Sequence, residues 1–200
     1  MQYIDSTKEL KKFCEEHMNC PVLGLDTEFI RERSYYPKLC LIQVCDGDST
    51  FIIDPLMIKD LSPLVPIFEN KNIVKVFHSC TQDLEVLYQA TGVVPGPIFD
   101  TQLAAGLIGL AYQASLSTLV HSFYGIRLSK ADSLSDWSER PLSESQLKYA
   151  EEDVLYLPDI YERMCAELRN MGRLHWLDGE FEELREATTE VKDPSLAYIH

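Results

Sequence analysis

Three short apolar runs constrain this chain most: PVLGLDTEF from Pro21, LCLIQVCD from Leu39 and TFIIDP from Thr50. Each has the length and the branched, apolar composition of a strand, and the turn-forming DGDS separates the second from the third. Links of this kind leave no room for a crossover helix and predict an antiparallel meander. Helices and strands then alternate: a helix around Leu61 to Phe68, a strand in IVKVFHS, a helix from about Thr81 to Gln89, and a short strand in PGPIFDT. That order predicts an α/β fold, a mixed sheet with helices on its faces. Before the meander, Ser6 and Glu9 have capping-box spacing, and Leu10, Phe13 and Cys14 recur at helical period.

From Thr101 onward the pattern is helical, through TQLAAGLIGL, SLSTLVHSFYG and a long run from Ser143 to about Met171. Ser143 and Gln146 repeat the capping-box spacing. Pro158, inside the run, removes a backbone donor and predicts a kink or break. The polar RLSKADSLSDWSERP between helices is long enough for a surface lid or substrate loop. GEFEELREATTE reads as a further helix, and KDPSLAYIH follows with no clear stop.

Acidic residues sit beside these apolar runs. On a strand, side chains two apart share a face, so Asp26 and Glu28 project together while Leu25 and Thr27 point away. On a helix, residues four apart share a face, which puts Tyr149 one turn from Asp153. Asp83 falls near a helix start, where the macrodipole favours a negative group. Carboxylates brought together repel one another, and divalent cations are the usual means of holding them; oxygen donors suit magnesium or manganese. Two such ions can clamp an in-line displacement at phosphorus, with a phenol orienting the water, so the chemistry implied is phosphodiester hydrolysis. Each residue also has an ordinary reading. Asp26 and Glu28 can end a strand, Asp83 can open a helix, and Tyr149 with Asp153 can be one amphipathic face. His78 either satisfies a local backbone group or edges the site, and Trp137 either anchors its loop or touches substrate. The ordered combination favours a site.

The 200 residues suit one domain, and no run approaches the roughly 18 apolar residues of a membrane span. The start carries no secretory signal pattern, which predicts a cytoplasmic protein without a membrane partner. Six scattered cysteines lack the spacing of a zinc site or disulfide framework. A net charge of −14 speaks against nucleic acid at face value. Four of those charges belong to the cluster, however, and bound cations would turn it into a phosphate-attracting pocket. Arg31, Arg33 and Lys38 follow Glu28, and Arg127, Lys130, Arg140 and Lys148 precede Asp153. Nothing in the residues fixes an oligomeric state.

LGLDTEF, FHSCTQDLEVL and YAEEDVLYL, with its Y-x-x-x-D spacing, resemble the three motifs of the ribonuclease D branch of the DEDD superfamily of 3′–5′ exonucleases, in the tyrosine subclass. FDTQLAAGLIG, SLSTLV and LSKADSLSDWSERPLSESQLKYA are similar to that family's intervening segments, so the resemblance runs from about Val22 to Met171. It implies a ribonuclease H-like mixed five-stranded sheet flanked by helices. It also implies two metal ions: Asp26 bridging both, Glu28 and Asp153 holding the one that activates water, Asp83 supporting the other, and Tyr149 positioning the nucleophile. The implied substrate is the 3′ end of single-stranded RNA, tRNA precursors among them, with DNA or a silent nucleic-acid adaptor as alternatives. The implied products are nucleoside 5′-monophosphates. Thr27, Phe29, Tyr35 and His78 are the candidate substrate contacts, and Phe29, Tyr35 and Tyr36 offer rings on which bases can stack. Residues 1–171 are the expected catalytic domain and 172–200 a helical extension. Full-length bacterial members continue into small helical HRDC-type domains near where this sequence stops, so a stand-alone domain and a part of a longer protein both stay open.

Overall fold

A computed structural model describes residues 1–33, 35–110, 112–129 and 134–190; KDPSLAYIH and Lys130 lie outside the described residues. The chain opens with a three-residue strand β1 (Gln2–Ile4) and helix α1 (Thr7–His17), which begins where the Ser6 side chain accepts the Glu9 amide. The three apolar runs then form β2 (Val22–Ile30), β3 (Lys38–Cys45) and β4 (Thr50–Ile53), paired antiparallel in succession as the short links require. The segment around Leu61 to Phe68 divides into a 3-10 turn (Ser62–Leu64) and α2 (Val65–Glu69). Then follow β5 (Val74–Phe77), α3 (Thr81–Thr91), β6 (Ile98–Asp100), α4 (Thr101–Ile108) and α5 (Leu116–Tyr124). The long helical run breaks at Tyr156, as Pro158 demands, into α6 (Glu144–Leu155) and α7 (Leu157–Asn170). Helix α8 (Trp176–Thr189) closes the described part.

Among the described residues the sheet has six strands in the order β1-β4-β3-β2-β5-β6, with β1, β5 and β6 each joined in parallel. The mixed sheet with flanking helices is as expected, but the implied count of five is one short. The additional strand is β1, whose three residues are too few to show alternation; its pairing of Gln2 with Phe51 and Ile4 with Ile53 is what makes it a strand.

The middle strands are buried on both faces. Ile42, Val44, Phe51 and Ile53 join the main core, whereas Leu41 and Ile52 point the other way into a smaller cluster with Trp137 and Ala150. Helix α6 packs over β2, β3 and β4, and α7 over β2 and β5. Helix α8 packs on α3 and β6 and contributes Leu177 and Phe181 to the main core, so this stretch is integrated into the fold. No helix among the described residues is long and apolar enough to cross a membrane.

Candidate active site

Register places the first two carboxylates. Asp26 lies opposite Gln43 and Glu28 opposite Leu41, on the sheet face that α6 covers. Helix α6 brings Asp153 down onto them, so that one oxygen from each of Asp26, Glu28 and Asp153 lies within 4.8 Å of the others. Several ties fix the helix. Its start is a complete capping box between Ser143 and Gln146, Thr50 Oγ1 donates to Glu151 at 2.9 Å, and Ser129 donates through backbone N–H and hydroxyl to Glu152 at 2.9 and 2.8 Å. The end of α6 sits directly on β2: a Cβ at Gly24 would stand 3.0 Å from Leu157 Cβ and 3.2 Å from the Val154 carbonyl oxygen. Glycine leaves room for that approach, and any Cβ there would press its neighbours aside.

Asp83 arrives from another direction. Strand β5 pairs with β2 only along Val22–Gly24, leaving the remainder of β2 open on that side, and a bulge follows between Glu28 and Phe29. Helix α3 starts at this opening, with Asp83 in its first turn. Its entry is set by Asp100, whose carboxylate accepts from the amides of Ser79 at 2.9 Å, Cys80 at 3.0 Å and Gln102 at 2.9 Å. That grip holds Ser79 at a φ of 62°, a left-handed conformation uncommon for serine. The Thr27 hydroxyl donates to Asp83, joining strand to helix.

The four carboxyls hold their protons far more strongly than free ones. Burial is the first cause throughout. It raises Asp26 well above its ordinary value, reinforced by Asp83, Asp153 and Glu28, and pushes Glu28 up to about 9, reinforced by Asp153 and Asp83. Asp83 and Asp153 are each pushed up to about 7 by burial, against the hydrogen bonds that favour their charged forms. Gln43, 0% exposed, turns its amide N–H toward Asp26 at 3.5 Å and Glu28 at 3.4 Å, while its own Oε1 is buried with no partner among the described residues.

Tyr149 lies one turn before Asp153 on α6, half-buried, its ring 5.9 Å from that of Trp137. Trp137 anchors its loop in the smaller cluster. Phe29 is half-buried with the Arg31 guanidinium 5.9 Å from its ring centroid, and Tyr35 and Tyr36 are exposed and pack edge to face. Thr27 and His78, both candidate substrate contacts, have internal partners, and those of His78 match its other reading as a residue that satisfies a backbone group. Thr27 is buried on Asp83, and the His78 ring nitrogens are 2.8 Å from Thr101 Oγ1 and 2.8 Å from the Ala114 carbonyl. Arg140 is committed to Asp54, and Lys148 reaches Glu152 at 3.9 Å. Sequence reasoning missed Gln43 and Asp100. The single polar residue inside the apolar LCLIQVC was a visible signal for the first; nothing local marked the second.

The donor set fits a hard divalent cation. All the converging atoms are carboxylate oxygens, their mutual repulsion disfavours full ionisation, and no lysine or arginine is paired with Asp26, Glu28, Asp83 or Asp153 among the described residues. This is an acidic metal-type site.

A 3′-5′ exonuclease family model matches residues 1–169. Ribonuclease D of Jannaschia sp. is 44% identical over 200 residues, 98% of this chain and 52% of that protein. The crystal structure of Escherichia coli RNase D, described as an exoribonuclease involved in structured RNA processing, superposes with a TM-score of 0.93 at 38% identity, over 98% of this chain and 52% of that one. NrnC of Brucella melitensis with bound Mg2+ gives a TM-score of 0.79 at 26% identity, over 94% of this chain and 90% of that one. The chain spans about half the length of the curated relatives it matches. Sheet, acidic cluster and sequence likeness agree: the chain belongs to the 3′–5′ exonuclease family, and the curated relatives it matches there are named ribonuclease D.

Proposed function

We propose that this chain is a 3′–5′ exoribonuclease that shortens single-stranded RNA from its 3′ end and releases nucleoside 5′-monophosphates. The observation that carries the reading is the convergence of Asp26, Glu28 and Asp153 within 4.8 Å, with Asp83 held beside them by Thr27. Asp26, Glu28, Asp83 and Asp153 would hold two divalent cations, magnesium or manganese. When bound, such ions supply the acidity that yields hydroxide from water near neutral pH and the positive charge that offsets the departing oxygen.

The chain's own groups do the remainder. Tyr149 orients the attacking water through its hydroxyl. Asp100 and Thr27 keep Asp83 aimed at the cluster, and Gln43 keeps Asp26 and Glu28 side by side. Phe29 and Tyr35 offer faces on which terminal bases stack without regard to sequence, and Arg31 adds positive charge next to Phe29. Residues 1–171 form the catalytic domain in this reading, with 172–200 as its helical extension. The natural substrates proposed are RNAs with single-stranded 3′ tails, tRNA precursors among them, in the cytoplasm, a setting that suits six free thiols.

The test uses end-labelled single-stranded RNA and DNA of one sequence, incubated with manganese, magnesium or chelator. A ladder shortening from the 3′ end of RNA is expected, absent in chelator and absent with Asp26→Asn, whose cooperative melt shows that the variant is folded. Shortening that persists in chelator refutes the metal-dependent reading. DNA shortened in preference to RNA reassigns the substrate, and neither activity nor a manganese-induced thermal shift makes the chain an adaptor.

A further inference from the structure

Outside the acidic cluster, the most heavily bonded side chain among the described residues is Arg140. Its Nε and one terminal nitrogen grip Asp54 at 2.8 and 3.0 Å; its other contacts are the carbonyls of Trp137 at 2.7 Å, Glu139 at 2.8 Å and Cys40 at 2.8 Å. Asp54, 1% exposed, also accepts from the Tyr3 hydroxyl at 2.5 Å. Residues from β1, β3 and the end of β4 thus converge on one short loop segment. What they hold in place is Trp137, 2% exposed, wedged among Leu41, Ile52 and Ala150 with its ring 36° from the plane of Tyr149. Among the described residues the buried indole N–H has no hydrogen-bond partner, so apolar packing orients the ring while Arg140 holds the backbone beneath it, and what the ring contributes is shape.

We propose that Trp137, clamped through Arg140 and Asp54, is a positioning residue for Tyr149: it forms the wall that confines the phenol to one rotamer. The proposal rests on the reading of Tyr149 as the group that orients water. A tyrosine on a half-exposed helix face has more than one staggered χ1 well available, and a rigid aromatic wall removes the alternatives. A hydroxyl at the end of a six-membered ring magnifies any tilt at its Cβ, and misplacement of about 1 Å at a reacting centre is enough to slow a reaction severely.

The experiment is a double-mutant cycle on manganese-dependent shortening of a labelled RNA oligonucleotide, with thermal melts of every variant. Trp137→Ala and Arg140→Lys, the latter keeping the charge but losing the fork, are expected to lower kcat about tenfold with KM for RNA unchanged, and Trp137→Phe to restore most of it. In a Tyr149→Phe background, neither change should cost anything more, because the group it acts through is already gone. Should Trp137→Ala fail to fold, Arg140→Lys carries the same cycle. Folded variants with unchanged kcat, or losses that multiply with that of Tyr149→Phe, overturn the positioning role alone. A Tyr149→Phe enzyme that turns over at the parental rate overturns the tyrosine reading and this one with it.

Discussion

Freed of divalent cations, this protein should be more stable in mild acid than at neutrality. The folded state raises the proton affinity of Asp26 and lifts Glu28 to about 9 and Asp83 and Asp153 to about 7, in each case through burial first. In the unfolded chain the same carboxyls lose their protons near about 4. Between those values the folded form binds protons that the unfolded form has released, so stability falls as pH rises from about 4 toward about 7. His78 opposes this: burial holds its imidazole below the usual value, and charging it in acid costs stability, by one proton at most. Lys75, lowered to about 7 by burial and Arg185, begins to lose its proton only at the top of the window, where the loss favours folding and slightly offsets the trend, and Asp46 and Asp54 are held below the usual carboxylate range, beneath it. Because clustered carboxyls share protons, one net proton for the whole set is a conservative count. That gives about 1.4 kcal/mol per pH unit, hence about 3 kcal/mol between about pH 5 and about pH 7. For a chain of this size the melting temperature should drop by roughly 6–12 °C. Thermal melts in chelator at constant ionic strength measure it. Added manganese should cancel or reverse the slope, since cation binding strengthens as protons leave. A melting temperature that is flat or rises over that interval in chelator refutes the reasoning.

Three further outcomes follow from particular contacts. Gly24→Ala drives a methyl against Leu157 and Pro158 at 3.0 and 3.2 Å, so melts should show a loss of about 1–3 kcal/mol, and calorimetry weaker manganese binding as Asp153 is displaced from Asp26. Gln43→Leu removes the amide lying between Asp26 and Glu28 and should weaken manganese binding about tenfold in the same titration. Lys75 is fully buried, donating to the Asn70 and Gly96 carbonyls at 2.8 and 2.7 Å. Its lowered pKa means the parent gains stability as pH rises above about 7, and melts of Lys75→Met should lack that gain.

The sequence is most legible where structure is local. Turn chemistry in DGDS, the Ser143–Gln146 capping box and the proline at 158 each act within a few residues, and the meander, the start of α6 and the break at Tyr156 follow from them. Asp26 with Glu28 and Tyr149 with Asp153 are legible for the same reason, since strand and helix periods alone decide which side chains share a face. Fates decided by distant partners are not. Thr27 looks available for substrate until Asp83, fifty-six positions along, takes its hydroxyl, and Arg140 is one more basic residue ahead of Asp153 until Asp54 engages it. Gln43 sat in plain view, but its importance depends on the register that sets it opposite Asp26.

The position of β2 between β3 and β5 also decides how this protein would fail under stress. Amides on a strand inside a sheet are among the last to open, whereas a helix that covers one sheet face, buried there at Ala150 and Val154, can detach at lower cost. Asp26 and Glu28 ride on the first, Tyr149 and Asp153 on the second. Under mild denaturant, departure of α6 should therefore end activity while most of the sheet's exchange protection survives, so that inactivation is a local and reversible event that precedes unfolding.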